Sequence, residues 1–376
     1  MKKKIMFISN VDWFFLSHRL PIGLEAIDQG YEVHLVTRFT KYKDFFLEKG
    51  FILHPLDMHR TKINLFKLIK NLLRICFLIT KIKPNLVHSI TIKPVILGGI
   101  ASKILFNTPF VASISGLGYV FVSKSKIAFL LKKVIKLLYK FAFSNKNIKV
   151  IFQNIDDLKI VRKFCNLKEN NLILINGSGV DLDIFKPSLE NHFSNKILFA
   201  SRLLKSKGLV EFAESAAKFK GQNYQFLIAG KLDKDNPDCI SEKLLMKWEE
   251  MGIIRFVGHQ EDIKNLITQS KMVVLPSYYG EGLPKILIEA AACGKPVITT
   301  DHPGCRDAII PNVSGLLVPI KDSKALTKAI NHLLKNDELC RQMGKSGREL
   351  ALDRYDIKDV VNTHIKIYME LLNNYK

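Results

Sequence analysis

With 376 residues the chain exceeds what one hydrophobic core usually serves, and its 47% hydrophobic content is ordinary for a globular protein. Six scattered cysteines (Cys76, Cys165, Cys239, Cys293, Cys305, Cys340) form no Cys-x-x-Cys pair, which argues for reduced cytosolic thiols and against a disulfide frame or zinc site. The net charge of +22 is lopsided: residues 1–176 hold 29 Lys and Arg against 10 Asp and Glu, a balance of +19, the remainder carries +3, and no acidic residue lies between Met58 and Ile155. Such asymmetry points to an anionic partner: a membrane, a nucleic acid or a pyrophosphate lipid.

In chain order, Met1-Lys-Lys-Lys has the outline of a leader, but the apolar run Ile5-Met-Phe-Ile8 breaks at Ser9-Asn10 and Asp12. It reads as the first strand. No membrane-spanning helix is expected, because the best candidate, Ile63 to Thr80, contains Lys67, Lys70 and Arg74. Strands are predicted at Lys4–Ser9, Tyr31–Thr37, Phe51–Leu56, Asn85–Ile90, Pro109–Ser115, Lys149–Asn154 and Asn171–Asn176. They resume at Lys196–Ser201, Gln225–Gly230, Ile253–Gly258, Lys271–Ser277, Pro296–Asp301 and Gly315–Pro319. Apolar runs alternating with helical patterns imply parallel sheets, here an α/β fold of two Rossmann-like halves hinged near Gly177-Ser-Gly179.

After the first strand, Asn10 to Pro21 reads as a loop entering a helix, with Ser17 as N-cap. Its aromatics beside His18 and Arg19 fit either hinge packing or the lip of a ligand cleft, since open α/β sheets bind ligands at the carboxyl ends of their strands. Two helical segments carry the basic excess. In Lys62–Lys83 the cations Lys67, Lys70, Arg74 and Lys81 share one stripe, and in Ile127–Phe143 Lys133, Lys136 and Lys140 do the same. Each stripe could be a solvated face; two in an acid-free region favour contact with an anionic membrane surface over a nucleic acid, for which there is no recognition motif.

Further on, Leu198 to Gly208 reads as strand, loop and helix start, with Arg202 and Lys207 flanking the loop. A guanidinium fork and a point charge can together neutralise a departing pyrophosphate. Ser277 to Pro296 is the densest stretch. It turns from a strand into a helix with Pro284 in the first helical turn and Gly294 just past the end. The helix start around Gly282, Leu283 and Pro284, with its free N–H groups other than at the proline and its positive dipole end, favours an oxyanion. Glu281 precedes that helix and Glu289 lies within it, roughly 8–9 Å below its first turn at 1.5 Å per residue. Taken singly they could be a dipole-favoured carboxylate and a solvated helix charge. The apolar surroundings of Glu289 demand a partner, and two spaced carboxylates can grip two parts of an elongated, hydroxyl-rich ligand such as a nucleotide sugar.

Glu281 and Glu289 in Glu-x7-Glu spacing, Glu-Gly-Leu-Pro, Gly-Lys-Pro-Val-Ile-Thr-Thr-Asp301, Pro-Gly-Cys-Arg-Asp307 and Ser-Gly-Leu-Leu-Val-Pro319 together resemble the donor half of the retaining glycosyltransferases of family 4. Those enzymes are of GT-B type, two Rossmann-like domains with parallel sheets facing a central cleft. The resemblance implies an acceptor-binding, membrane-facing domain over 1–176, a nucleotide-sugar domain over 177–355 and a helix over 356–376 crossing back to the first. It implies that Arg202 and Lys207 hold the donor phosphates, that Glu281 holds the donor sugar as the catalytic residue, that Glu289 holds the ribose and that the Gly258 backbone reads the base. His18, Arg19 and the Gly116-Leu117-Gly118 turn would face phosphates and acceptor. A His-Gly pair common at this turn is Ser115-Gly116 here, and the Gly-Leu-Gly turn resembles members that extend polyprenyl-diphosphate sugars. The implied reaction moves a hexose or N-acetylhexosamine from a UDP-sugar to an undecaprenyl-diphosphate-linked saccharide, without metal or other cofactor, at the cytoplasmic face of the inner membrane. Asp181-x-Asp183 matches a metal motif of another glycosyltransferase class but falls in the hinge. A sugar-nucleotide epimerase would need acid–base carboxylates or histidines in the acid-free half. A non-enzymatic anionic-lipid or nucleic-acid binder would have no use for the paired glutamates.

Overall fold

The computed structural model describes residues 2–58, 64–118, 121, 126–188 and 194–373 and divides into two units, Met1–Ser178 with Ile357–Lys376, and Gly179–Asp356. Of the predicted segments, Lys62, Ile63 and residues 374–376 of the last helix lie outside the described residues, as does the side chain of Ile127.

The first unit runs β1 (Lys4–Val11), α1 (Asp12–Asp28), β2 (Glu32–Arg38), α2 (Lys43–Glu48), β3 (Ile52–Pro55), α3 (Leu65–Ile82), β4 (Leu86–Ile90), α4 (Ile92–Ile104), β5 (Phe110–Ile114), α5 (Lys126–Ala142), β6 (Ile148–Phe152), α6 (Ile155–Arg162) and β7 (Leu172–Leu174). Its seven strands lie in the order 3-2-1-4-5-6-7, all parallel. Both faces of the sheet are covered, so the inner strands β1, β2, β4, β5 and β6 bury both of their side-chain rows, while the edge strands β3 and β7 stay partly exposed. Met6 and Ile8 face the core shared with α3, α4 and α5, whereas Ile5 and Phe7 face the core beneath α1. Strand order reverses at β1, whose neighbours are β2 and β4. The carboxyl ends of β1 and β4 therefore meet, and Asn10 Nδ2 donates to Thr91 Oγ1 at 2.7 Å there.

Two local expectations fail. There is no loop at Asn10–Pro21: α1 starts at once at Asp12, and Ser17 lies well inside it. The cause is Asp12, fully buried, whose carboxylate accepts from the amides of Trp13 (2.8 Å), Thr40 (2.6 Å), Lys41 and Tyr42 (both 3.2 Å). It ties the head of α1 to the segment after β2. The basic helices also show more than cations to solvent. Phe66, Ile69, Leu73 and Phe77 of α3 and Leu130, Val134, Leu137 and Phe141 of α5 are exposed at three- and four-residue spacing. Both helices pack against α4, which is buried along most of its length, and α3 carries more apolar residues than its inward stripe of Ile75, Leu78, Ile79 and Ile82 can bury.

The second unit holds β8 (Lys196–Ala200), α7 (Leu209–Ala217), β9 (Gln225–Ala229), α8 (Glu242–Glu250), β10 (Arg255–Gly258), α9 (Ile263–Thr268), β11 (Met272–Leu275), α10 (Lys285–Ala292), β12 (Val297–Thr300), β13 (Gly315–Val318), α11 (Ser323–Leu334) and α12 (Asp337–Arg354). Its six parallel strands run 10-9-8-11-12-13, with the switch between β8 and β11. The last helix, α13 (Ile357–Asn373), packs on α1 and β4 of the first unit. There Tyr368 OH meets His88 Nδ1 at 2.6 Å, and Lys149 Nζ reaches Glu370 Oε1 at 2.5 Å. Among the described residues no helix is long and apolar enough to cross a membrane.

Candidate active site

In the second unit the two segments leaving the switch-point strands, Ser201–Gly208 after β8 and Pro276–Pro284 after β11, converge. Their contact is close because Gly208 takes φ +79° and any Cβ there would fall 2.2 Å from the Pro276 carbonyl oxygen. Tyr278 N donates to Ser206 O at 2.8 Å, and Asp238 accepts from the Ser206 amide at 2.9 Å. The pairing brings Lys207 and Glu281 together: the ammonium and carboxylate form an ion pair, both nearly buried, and Ser277 Oγ donates to the same Glu281 oxygen at 3.2 Å. Gly304, at φ +83°, presses against the backbone of Glu281 and Gly282 from the other side, with the Gly282 carbonyl 2.5 Å from where a Cβ would stand.

Arg202 stands in the same cluster. Its Nη1 donates to Asp233 Oδ2 at 2.8 Å, and the guanidinium and the Lys207 ammonium lie 5.7 and 5.4 Å from the centre of the Tyr279 ring. Burial alone would lower its pKa, yet Tyr279, Asp233 and Glu281 together raise it, so the cation is secure. Two cations thus stand in one cluster, each paired with a carboxylate.

Gly282, Leu283 and Pro284 lead into α10, which starts at Lys285, one residue later than the sequence suggests, with Pro284 as an N-cap that offers no side-chain hydrogen bond. The helix therefore begins a few residues after Glu281. Glu289 lies deeper in the helix, buried, with Lys285 Nζ 3.4 Å away on the preceding turn; burial raises its pKa and Lys285 opposes that rise. The expected partner of this apolar-helix charge is therefore its own i−4 lysine. Gly258 ends β10 at φ +71° and accepts from Gly230 N at 2.8 Å, so the ends of β9 and β10 are joined next to Ser201. Asp181 of the Asp-x-Asp match accepts from the amides of Asp183 and Ile184, both at 3.0 Å, and closes a turn.

In the first unit, His18 stacks on Phe14 with ring centres 4.3 Å apart. Arg19 is fully buried. Its Nη1 donates to the His18 carbonyl at 2.8 Å and its Nη2 to Ser115 Oγ at 3.2 Å, and burial pushes its pKa down to about 10. It anchors α1 to the end of β5, where Gly116 and Gly118 turn at φ +96° and +67° around buried Leu117. His364, pushed down to about 3 by burial, and His88 stack behind it as neutral rings. Sequence reasoning missed Asp233, Tyr279 and Asp238 in the second unit and Asp12 in the first. Asp233 and Asp238 fall in a polar stretch with no periodicity, and Asp12 looked only like the residue that breaks an apolar run.

Two doubly wound parallel sheets, the second carrying paired cations and a glutamate at its switch point beside a helix start whose N-cap is Pro284, define a protein of the GT-B class. The solved sucrose-phosphate synthase of Thermosynechococcus elongatus has this fold, with a TM-score of 0.82 at 22% identity over 99% of this chain and 100% of that one. Family models for "Glycosyl transferase 4-like" and "Glycosyl transferases group 1" match residues 4–154 and 180–350, and the chain belongs to these glycosyltransferases. It is 28% identical to the N,N'-diacetylbacillosaminyl-diphospho-undecaprenol alpha-1,3-N-acetylgalactosaminyltransferase of Campylobacter jejuni, over 99% of this chain and 100% of that protein. It is 26% identical to the UDP-Gal:alpha-D-GlcNAc-diphosphoundecaprenol alpha-1,3-galactosyltransferase of Escherichia coli, over 83% and 82%.

Proposed function

We propose that this glycosyltransferase moves an N-acetylhexosamine, with retention of configuration, from a UDP-sugar to a saccharide carried on undecaprenyl diphosphate. The observation that carries the reading is the Arg202–Lys207–Glu281 cluster at the head of α10. Arg202, Lys207 and the first amides of α10 take the charge that develops on the leaving UDP, Glu281 grips the sugar hydroxyls, and Glu289 holds the ribose. Once a diphosphate draws Lys207 away, the Glu281 oxygens are released to the sugar. Glu281 acts as a hydroxyl ligand, so the acceptor hydroxyl attacks the anomeric carbon on the face from which UDP departs. The carbon–phosphate oxygen bond breaks, its electron pair stays on UDP, and a UDP phosphate oxygen takes the hydroxyl proton. Two cations and a helix dipole supply the charge, so no metal is required. The acceptor class follows the two relatives, whose names both specify a diphospho-undecaprenol saccharide.

The first unit takes that acceptor at an anionic membrane surface, on the cytoplasmic face of the inner membrane. Exposed apolar stripes on α3 and α5, flanked by Lys70, Arg74, Lys133, Lys136 and Lys140, support this, at about 1 kcal/mol per cation near anionic headgroups plus the buried apolar area. The test is a panel of UDP- and GDP-sugars with a short polyprenyl-diphosphate saccharide, with and without EDTA, with NMR of the product. Acceptor-dependent UDP release that ignores EDTA and yields an α-linked product is expected. A β-linked product or loss of turnover with EDTA would overturn the mechanism, and failure of every donor in the panel to turn over would overturn the function.

A further inference from the structure

At the carboxyl edge of the first sheet, where β3 leads to α3 and β4 leads to α4, lies a cavity of about 190 Å³ lined by Asp57, Met58, Asn64, Lys67, Leu68, Asn71 and Lys93. It is more than ten times the roughly 10–15 Å³ that admits one water. Two ammonium groups line it, in the stretch that carries no acidic residue from Met58 to Ile155. Asp57, just before that stretch, pairs with Lys67 at 2.9 Å on the open rim. Asn71 is spent locally, donating to the Asp57 carbonyl at 3.0 Å, and Asn64 caps α3 by accepting from Lys67 N at 3.1 Å. The heads of both α3 and α4 lie along this edge, adding two positive helix ends to the two lysines. Lys93 follows Thr91, a β-branched residue held at φ +73°, ψ 167°, by Asn10 Nδ2 on its hydroxyl and by its own amide donating to Ser113 O at 3.0 Å. That conformation is close to glycine-only and is kept because the surroundings over-determine it. The position of Lys93 is therefore built rather than incidental. Burial lowers the Lys93 pKa to about 8, which a bound anion would reverse.

The second observation is apolar. Leu65 and Phe66, the residues next to Asn64 at the start of α3, are exposed, Phe66 to 86%, and the exposed row continues through Ile69, Leu73 and Phe77. A cationic cavity at the head of an apolar, outward-facing helix matches a ligand whose anionic head is joined to a hydrocarbon chain. We infer that the Lys67–Lys93 cavity is the seat of the acceptor's diphosphate, with the first prenyl units lying along Leu65 and Phe66. This rests on the proposed function for the acceptor class and adds the subsite that recognises its diphosphate. Lys67 exchanges Asp57 for the ligand, so Asp57 acts as a competing anion.

The test has a kinetic and a binding arm. In the first, one saccharide is offered on a polyprenyl diphosphate and on a phosphate-free alkyl glycoside. Lys93→Gln and Lys67→Gln should each lower kcat/KM for the diphosphate acceptor at least tenfold and change that for the glycoside less than twofold, and Asp57→Asn should improve the diphosphate acceptor alone. A parallel fall for both acceptors, or no fall, overturns the subsite. The binding arm needs no turnover: with UDP saturating the donor site, farnesyl diphosphate is titrated against wild type and the same variants. Expected is binding that weakens at least tenfold in Lys93→Gln and tightens in Asp57→Asn. No binding by wild type, or binding that Lys93→Gln leaves intact, overturns the proposal even if the protein transfers sugar normally. Inorganic pyrophosphate as competitor and vesicles of phosphatidylglycerol separate the sources. Equal affinity for inorganic pyrophosphate would remove the prenyl contact, and displacement by the vesicles alone would make the cavity a headgroup site.

Discussion

The two units solve the same topological problem with opposite electrostatics. Each opens its sheet at a switch point and gathers polar residues there, yet in the second unit the site cations are matched one to one, Arg202 with Asp233 and Lys207 with Glu281. In the first unit the excess is unbalanced, +20 against +2 once Ile357–Lys376 is counted with it, and among the described residues buried Arg19 has no ion pair, only a carbonyl and the Ser115 hydroxyl. Matched pairs suit a site that must accept and release a charged nucleotide each turnover, since the carboxylates take the cations back. An unbalanced surface suits a partner that stays anionic throughout, such as a bilayer.

Breaking the matched pairs should have the largest effect. Lys207→Ala removes the ammonium that the proposed function places on the departing phosphate and leaves Glu281 nearly buried without its cation. Steady-state kinetics should show kcat lower by about 10²–10³-fold, the usual result of losing one preorganised donor. Glu281→Gln keeps the shape but not the charge and should cost about the same in kcat while UDP affinity stays within a few-fold. Arg202→Lys, which gives up the planar fork, should follow at about tenfold in kcat/KM.

Two structural variants sharpen the comparison at smaller cost. Gly208→Ala forces a Cβ onto the Pro276 carbonyl at positive φ, and denaturant unfolding should show a loss of about 2–3 kcal/mol confined to the second unit. Asp12→Asn in the first unit should cost about 1–2 kcal/mol at neutral pH. Although burial opposes it, the hydrogen bonds from Thr40, Tyr42 and Trp13 hold the Asp12 pKa below the usual 3.8. A depressed folded value stabilises above the unfolded pKa and is lost as pH falls through the folded one. The gap between wild type and Asp12→Asn should therefore be constant above about pH 5 and close below pH 4. A gap that does not narrow at all as pH falls to the acid-unfolding limit would show that the bonds do not depend on ionisation.

The thirteen strands among the described residues were legible, most plainly the inner ones, whose runs buried on both faces leave apolar signatures, as in Met272–Leu275 and Val297–Thr300. The Lys207–Glu281 meeting was legible only as membership of one site. The contact itself depends on Gly208 and Gly304 letting backbones approach, which spacing does not reveal. Asp233 was invisible because its role depends on where the segment after β9 runs, and no local period encodes that. The start of α1 was misread since Asp12 looked like a strand breaker, whereas its carboxylate collects amides from a segment 28 residues away in sequence. The apolar exposure of α3 and α5 escaped detection because periodicity shows that a helix has an apolar face, not how much of that face its own sheet can cover.

Calorimetric titration of UDP into wild type, Lys207→Ala and Lys93→Gln tests the division of labour most directly. Affinity should fall at least tenfold in Lys207→Ala and stay within twofold of wild type in Lys93→Gln. Unchanged affinity in Lys207→Ala, or an equal loss in both variants, would contradict it.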